Sequence, residues 1–334
     1  MSTMKKVAER AGVSTSTVSH VLNNTRVVSA DARARVLAVI DEMRYIPSAV
    51  ARSLKNDKTH TIGMMIPNNS NPYFAELIQG IEDAAFKVGY NVILCNSYDN
   101  PRKQAVYLRV LMEKRIDGLI LVASGADDAL AQLLAAQAVP MVLVDREVAG
   151  VAADFIEADH ETGGYLATRY LIELGHREIA CVSGPMDLPP SRDRVVGYLR
   201  ALKEAGLKFR LDLLVRSDFT SEGGFAAFQQ LLALKRRPSA IFASNDLMAI
   251  GGICAASEAR VRIPEELSVI GYDDIALASY STPRLTTIAQ PKYAMGQLIT
   301  QVLLERIMGG HLPLRRELLQ TRLIERQSTA APGA

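Results

Sequence analysis

Nowhere in the 334 residues is there an apolar run approaching the ~18 residues of a membrane-spanning helix, so the chain is expected not to cross a bilayer. The opening Met1-Ser2-Thr3-Met4-Lys5-Lys6 leads directly into a helical pattern without the apolar core of a signal peptide, and a cytoplasmic location is expected. Cysteine is scarce. Cys95, Cys181 and Cys254 are far apart and sit in or beside apolar segments, which points to reduced thiols rather than a disulfide framework or a metal site. Catalytic signatures are missing as well: there is no Gly-x-Ser-x-Gly elbow, no Gly-x-x-x-x-Gly-Lys loop, no Gly-x-Gly-x-x-Gly after a strand and no His-Glu-x-x-His. No enzymatic activity, metal or cofactor is therefore expected. Asn23-Asn24-Thr25 and Asn68-Asn69-Ser70 match glycosylation sequons, which in a cytosolic chain are chance matches.

What is present is an ordinary globular composition, 49% hydrophobic and 22% charged, in a chain long enough for two or three folding units. The net charge of +2 hides an asymmetry. Residues 1–60 carry ten Lys and Arg against five Asp and Glu, whereas the remainder carries 28 against 31. A basic head on a mildly acidic body fits a polyanionic partner for the head.

The head reads as helices. Met4 to Ala11 places Val7, Ala8 and Ala11 at helical spacing, and Gly12 supplies a permissive turn. Ser14 can cap a second helix with Val18, Val21 and Leu22 on its apolar face. Two short helices about a tight turn form a helix-turn-helix, whose second helix enters the major groove. Thr15, Ser16 and His20 then face outward as base readers, and Ser14 and Thr17 are hydroxyls suited to caps or phosphates. Ser29 opens a third helix through Met43, with Ala32, Val36, Val39, Ile40 and Met43 on one face. Pro47 ends the exit Arg44-Tyr45-Ile46.

The run Met4–Asn23, followed by Tyr45-Ile46-Pro47-Ser48-Ala49-Val50-Ala51-Arg52-Ser53-Leu54, resembles the head and hinge of the LacI/GalR repressors, nearest their ribose and purine members. The resemblance implies a homodimeric repressor on a pseudo-palindromic double-stranded DNA operator. It implies a hinge over 48–56 that becomes helical only when two subunits meet on DNA, with Leu54 wedged between base pairs from the minor groove. The physics agrees: a helix of about nine residues is marginal alone, and unstacking by a wedge is offset by the contacts of bent DNA. The resemblance adds Arg26, Tyr45, Ala51 and Lys55 to the DNA-contacting set.

From Thr61 onward, eight apolar runs alternate with six amphipathic stretches, the pattern of parallel sheets covered by helices on both faces. The second half repeats the scheme of the first. The body resembles the two-lobed periplasmic sugar-binding fold over about Thr61 to Glu325. The expected fold is thus α/β: a three-helix helix-turn-helix head and hinge helix joined to two lobes of doubly wound parallel sheet. The expected divisions are a head at 1–47, a hinge and linker at 48–60, and an effector-binding and dimerisation body at 61–334. Lobe 1 spans about 61–159 plus 291–320, and lobe 2 about 160–290 plus 321–334. Three crossings fall near Asp159–Glu161, Gln290–Pro291 and Gln320–Arg322.

Ligands in such folds sit at carboxyl ends of strands. Those ends carry Asn71, Tyr73 and Phe74; Asp145 and Arg146; Arg192; Phe219; Asn245; Asp273; and Gln290. Carboxylates accept from pairs of hydroxyls, arginine and amides donate in planar forks, and aromatic rings cover the apolar face of a sugar. Together these residues resemble the pocket of periplasmic ribose-binding proteins, with Tyr73 where those have Phe. The resemblance implies a ribose effector that releases DNA. The alternative is a purine-type repressor whose nucleobase tightens DNA binding. Its pocket uses an Arg and a Thr at positions aligning with Leu188 and Pro190, neither of which has a hydrogen-bonding side chain.

Overall fold

The computed structural model describes residues 3–45, 58–122, 128–309 and 313–333. The expected hinge helix, with Ala51, Leu54 and Lys55, lies outside them. The chain divides into two compact units, Met1–Thr59 and His60–Ala334.

In the first unit α1 (Met4–Ala11) ends at Gly12, whose φ of 63° lets its N–H reach the carbonyls of Ala8 and Glu9. Ser14 caps α2 (Thr15–Asn23) by accepting from Thr17 N, and Ser29 caps α3 (Ala30–Glu42) by accepting from Ala32 N. Val7, Ala8, Ala11, Val18, Val21, Val36 and Val39 close one small core, with Leu22, Ile40 and Met43 packed at its edge. Tyr45 belongs to that core too, buried with its N–H on the Ile40 carbonyl. The DNA contact expected at Tyr45 thus falls on a residue of this core that is 8% exposed.

The second unit contains two six-stranded sheets, each buried on both faces. The first is built from β1 (Thr61–Ile66), α4 (Pro72–Lys87), β2 (Asn91–Asn96), α5 (Pro101–Glu113), β3 (Gly118–Val122), α6 (Asp128–Ala135), β4 (Met141–Val144) and β5 (Asp154–Ala158). The chain then crosses into α7 (His160–Glu173), β6 (Ile179–Ser183), α8 (Pro189–Glu204), β7 (Leu214–Arg216), α9 (Ser221–Leu232), β8 (Ala240–Ala243), α10 (Asp246–Glu258), β9 (Ser268–Asp273) and β10 (Thr286–Ala289). It returns through α11 (Lys292–Ile307) and β11 (Arg316–Leu319) and crosses a last time to β12 (Arg322–Ile324). The strand orders are β11-β5-β4-β3-β1-β2 and β12-β10-β9-β8-β6-β7. Only β12 on β10 pairs antiparallel among the described strands.

The eight apolar runs and six amphipathic stretches leave out β5, α6, β10, α11, β11 and β12, although the end of β10 is read at Gln290. For β5 the reason is visible: its apolar run is interrupted by Asp154, fully buried yet satisfied by the Arg306 guanidinium and the Arg315 N–H. Sequence pattern registers the charge and not the partner 152 residues away.

Candidate effector cleft and DNA-reading helix

On the head, Thr15 and Ser16 are exposed at the start of α2, and with Met4, Ser19 and His20 they line a shallow surface depression. His20 Nδ1 lies 2.8 Å from the Thr25 hydroxyl, which fixes the ring from behind. Ser14 and Thr17 are joined by a 2.9 Å hydroxyl contact as well as the cap, so both serve the helix terminus directly. Arg26 is exposed beyond α2.

In the body a cavity of about 240 Å³ opens between the ends of the two sheets. From the first sheet it is lined by Pro67, Asn68, Asn71, Tyr73, Phe74 and Asp145, joined by Tyr98 and Asp99 after β2. Asn71 opens α4 by accepting from Tyr73 N, and the adjoining Pro72 starts the helix without wasting an N–H. That cap aims the Tyr73 and Phe74 rings, edge to face at 5.0 Å, into the cleft. From the second sheet come Arg194, Asp218, Phe219, Asn245 and Asp273. Gly184 leaves the space that the Phe219 ring fills, since a Cβ there would meet the ring at 2.2 Å. Asn245 caps α10 through Met248 N and donates to the Phe219 carbonyl.

Backbone strain gathers at this cavity. Tyr98, Asp99, Asp145, Phe219 and Asp273 all have positive φ, five of the eleven such non-glycine residues among those described. A left-handed residue costs roughly 1–2 kcal/mol, so these conformations persist because capping and packing over-determine them.

The electrostatics follow from burial. Desolvation presses against the Asp145 carboxylate, but His160, the Ala158 N–H and Arg194 outweigh it and hold its pKa below the usual range. Burial raises Asp273 in spite of Arg194, Lys292 and the 2.7 Å hydrogen bond from Gln290. Burial also raises the Tyr73 hydroxyl, reinforced by Asp145 and Asp273. Arg194 donates to the Ser244 carbonyl at 2.5 Å and lies 3.7 Å from Asp273, while its buried Nε has no hydrogen-bond partner.

The structure therefore brings together Asn71, Tyr73, Phe74, Asp145, Phe219, Asn245 and Asp273 and leaves three expected residues outside the lining. Arg192 is more than half exposed and pairs with Asp193; Arg194 takes the place expected for it. Gln290 braces Asp273 rather than facing the cavity. Arg146 does not line it either, although its buried Nη1 has no partner. Tyr98, Asp99 and Asp218, in the loops after β2 and β7, also line it and were not among the site residues read from the strand ends. The wall contributed by Pro185, Leu188 and Pro190 has no hydrogen-bonding side chain. Its backbone is equally closed: Pro189 and Pro190 have no N–H, and those of Ser191 and Arg192 bond the Leu188 carbonyl.

Among the described residues no helix is long and apolar enough to cross a membrane, and no group of His, Cys, Asp and Glu is placed to hold a metal. Residues 3–48 match the family of bacterial regulatory proteins of the lacI type, and residues 59–328 match the periplasmic binding proteins and sugar binding domain of the LacI family. The chain is 45% identical to the HTH-type transcriptional repressor PurR of Proteus mirabilis over 99% of this chain and 97% of that protein. The Lac repressor dimer bound to operator and the anti-inducer ONPF superposes with a TM-score of 0.89 at 30% identity, covering 99% of both chains. A LacI family transcriptional regulator from Enterococcus faecium with bound ribose gives 0.73 at 34% identity, covering 81% of this chain and 99% of that one. The chain belongs to the LacI family of bacterial regulatory proteins.

Proposed function

We propose that the protein is a homodimeric transcriptional repressor that binds a pseudo-palindromic operator through head 1–47 and hinge 48–60, under control of a pentose, D-ribose first, bound in body 61–334. One observation carries the effector assignment. Four carboxylates, Asp99, Asp145, Asp218 and Asp273, face a cavity whose single lining cation among the described residues is Arg194. Such a lining favours a ligand rich in donors, and the hydroxyls of a polyol supply them. The same excess of negative charge, beside a helix terminus stripped of free N–H groups, opposes a phosphorylated sugar. The ribose complex of the E. faecium regulator supports the pentose reading.

A second reading, a nucleobase acting as corepressor, is favoured by the relatives named PurR at 44–46% identity over nearly the full chain. In it a base lies between Tyr73 and Phe219 with Asp273 accepting a ring N–H. Fluorescence anisotropy on a labelled operator selected from random DNA separates the two readings. Ribose releasing the operator supports the first; hypoxanthine or guanine tightening it, with ribose inert, overturns the first in favour of the second.

A further inference from the structure

His160 sits where the chain leaves β5 and enters α7, as the first residue of that helix, and its imidazole is buried. It does not line the cavity. Its two ring nitrogens nevertheless face opposite walls. Nε2 lies 3.0 Å from Asp145 Oδ1, at the end of β4 in the first sheet. Nδ1 lies 3.3 Å from Arg194 Nη2 and 3.5 Å from the Tyr272 hydroxyl, both in the second lobe. The packing that creates this junction is close. A Cβ on Gly164 would meet the Arg194 carbonyl at 2.1 Å, one on Gly197 the Glu161 carbonyl at 2.0 Å, and one on Gly163 the Tyr272 hydroxyl at 2.2 Å. Gly164 and Gly197 thus let α7 and α8 touch, and Gly163 admits the Tyr272 ring of β9, which together set His160 against Arg194.

Donor bookkeeping fixes the tautomer. A guanidinium only donates, so Nδ1 must present its lone pair to Arg194. The Asp145 carboxylate, already accepting from Ala158 N–H, only accepts, so Nε2 carries the hydrogen. The ring is a one-way connector: it receives from lobe 2 and donates to lobe 1, from one of the segments that pass between the two sheets.

We propose that His160 is a positioning residue that couples Asp145 to Arg194, so that a ligand drawing on one wall of the cleft alters the other. Coupling of this kind is what an effector needs in order to change the relation of two lobes. The allosteric part of the proposal rests on the cleft being the effector site. The network itself does not.

Two measurements are made without effector. The first is a double-mutant cycle of Asp145→Asn and Arg194→Lys on thermal unfolding of the full chain, carried out in the parent and again in His160→Gln. Glutamine places an amide donor near Nε2 and offers Arg194 no lone pair at Nδ1. In the parent the combined effect should depart from additivity by more than about twofold in the unfolding constant, and in the His160→Gln background the departure should shrink. An equal departure in both backgrounds overturns the proposal. The second keeps the network intact if variants fail to fold. Ring ¹⁵N spectra of the parent, with the His160 signal identified by its loss in His160→Gln, should show Nε2 protonated and Nδ1 bare, and the opposite tautomer overturns it. With an effector in hand, His160→Gln should lower the factor by which that effector changes operator affinity more than it weakens effector binding, and His160→Asn, which restores an acceptor near Nδ1, should recover part of the factor. An unchanged factor in His160→Gln overturns the coupling role. Should neither ribose nor a purine bind the parent, the effector assignment fails while the first two results still judge His160.

Discussion

The Arg194 guanidinium stacks on the ring of Tyr272, with its central carbon 3.8 Å from the ring centroid. Stacking holds the fork flat between Ser244, Asp273 and His160 and leaves Nε as a donor without a partner. A planar cation fixed on an aromatic face costs a ligand little ordering entropy to engage.

Arg194→Gln should therefore weaken effector binding by about 1.5–3 kcal/mol, roughly ten- to a hundredfold, as a charge-assisted hydrogen bond is lost. Arg192→Ala, on the exposed side of the same helix, should leave effector affinity within about twofold. Calorimetric titration of both variants checks the pair, and equal losses would contradict the assignment.

Asp246 is fully buried at the start of α10, accepting from Ile275 N and from the Thr287 hydroxyl, with no salt bridge to it among the described residues. Burial, with Asp273 nearby, pushes its pKa well above 3.8. The folded state thus holds this proton more tightly than the unfolded state, so the contribution of Asp246 to stability falls as pH rises from about 3.8 towards the raised folded value. Asp246→Asn should remove that fall and leave the protein relatively more stable at neutral pH. Thermal melts of both proteins across pH 4–7 test this; parallel pH curves would contradict it.

His20 stands beside Thr15 and Ser16 on the outer side of α2, braced by Thr25. His20→Ala should relax discrimination at one base position per half-site by ~1–3 kcal/mol. Binding titrations on single-base operator variants measure it. Equal weakening on operator and random DNA would make His20 a phosphate contact instead.

The edge strand β2 exposes Leu94, and the following α5 exposes Val106 and Val110 one turn apart. An apolar edge of this kind is a liability unless covered, and a second copy of the chain is the cover that the proposed homodimer would supply. Leu94→Glu combined with Val110→Glu should shift the protein to monomers in sedimentation while effector binding persists. A dimer as stable as the parent would place the interface elsewhere.

Much of the fold was legible because its signals are local. Gly12, Ser14 and Ser29 announce the head helices, and alternating apolar runs announce two parallel sheets. The rule that ligands sit at strand ends found Asp145, Phe219, Asn245 and Asp273. What was not legible depends on helix phase and distant partners. Arg192 and Arg194 lie about 200° apart around a helix, and only the true start at Pro189 decides which of them faces the cleft. Gln290 stands at the end of β10, but Asp273 claims its amide. His160 falls in the crossing expected near Asp159–Glu161, yet its value lies in Asp145 and Arg194, which only the folded chain brings to it.

The most direct test is calorimetric titration of the purified full chain with D-ribose, 2-deoxyribose and hypoxanthine. A cleft whose acceptors each pair a hydroxyl leaves a buried group orphaned when one hydroxyl is removed, so ribose should bind and 2-deoxyribose should bind at least tenfold more weakly, at about 1.4 kcal/mol or more. Micromolar binding of hypoxanthine with no heat from ribose would contradict the pentose assignment.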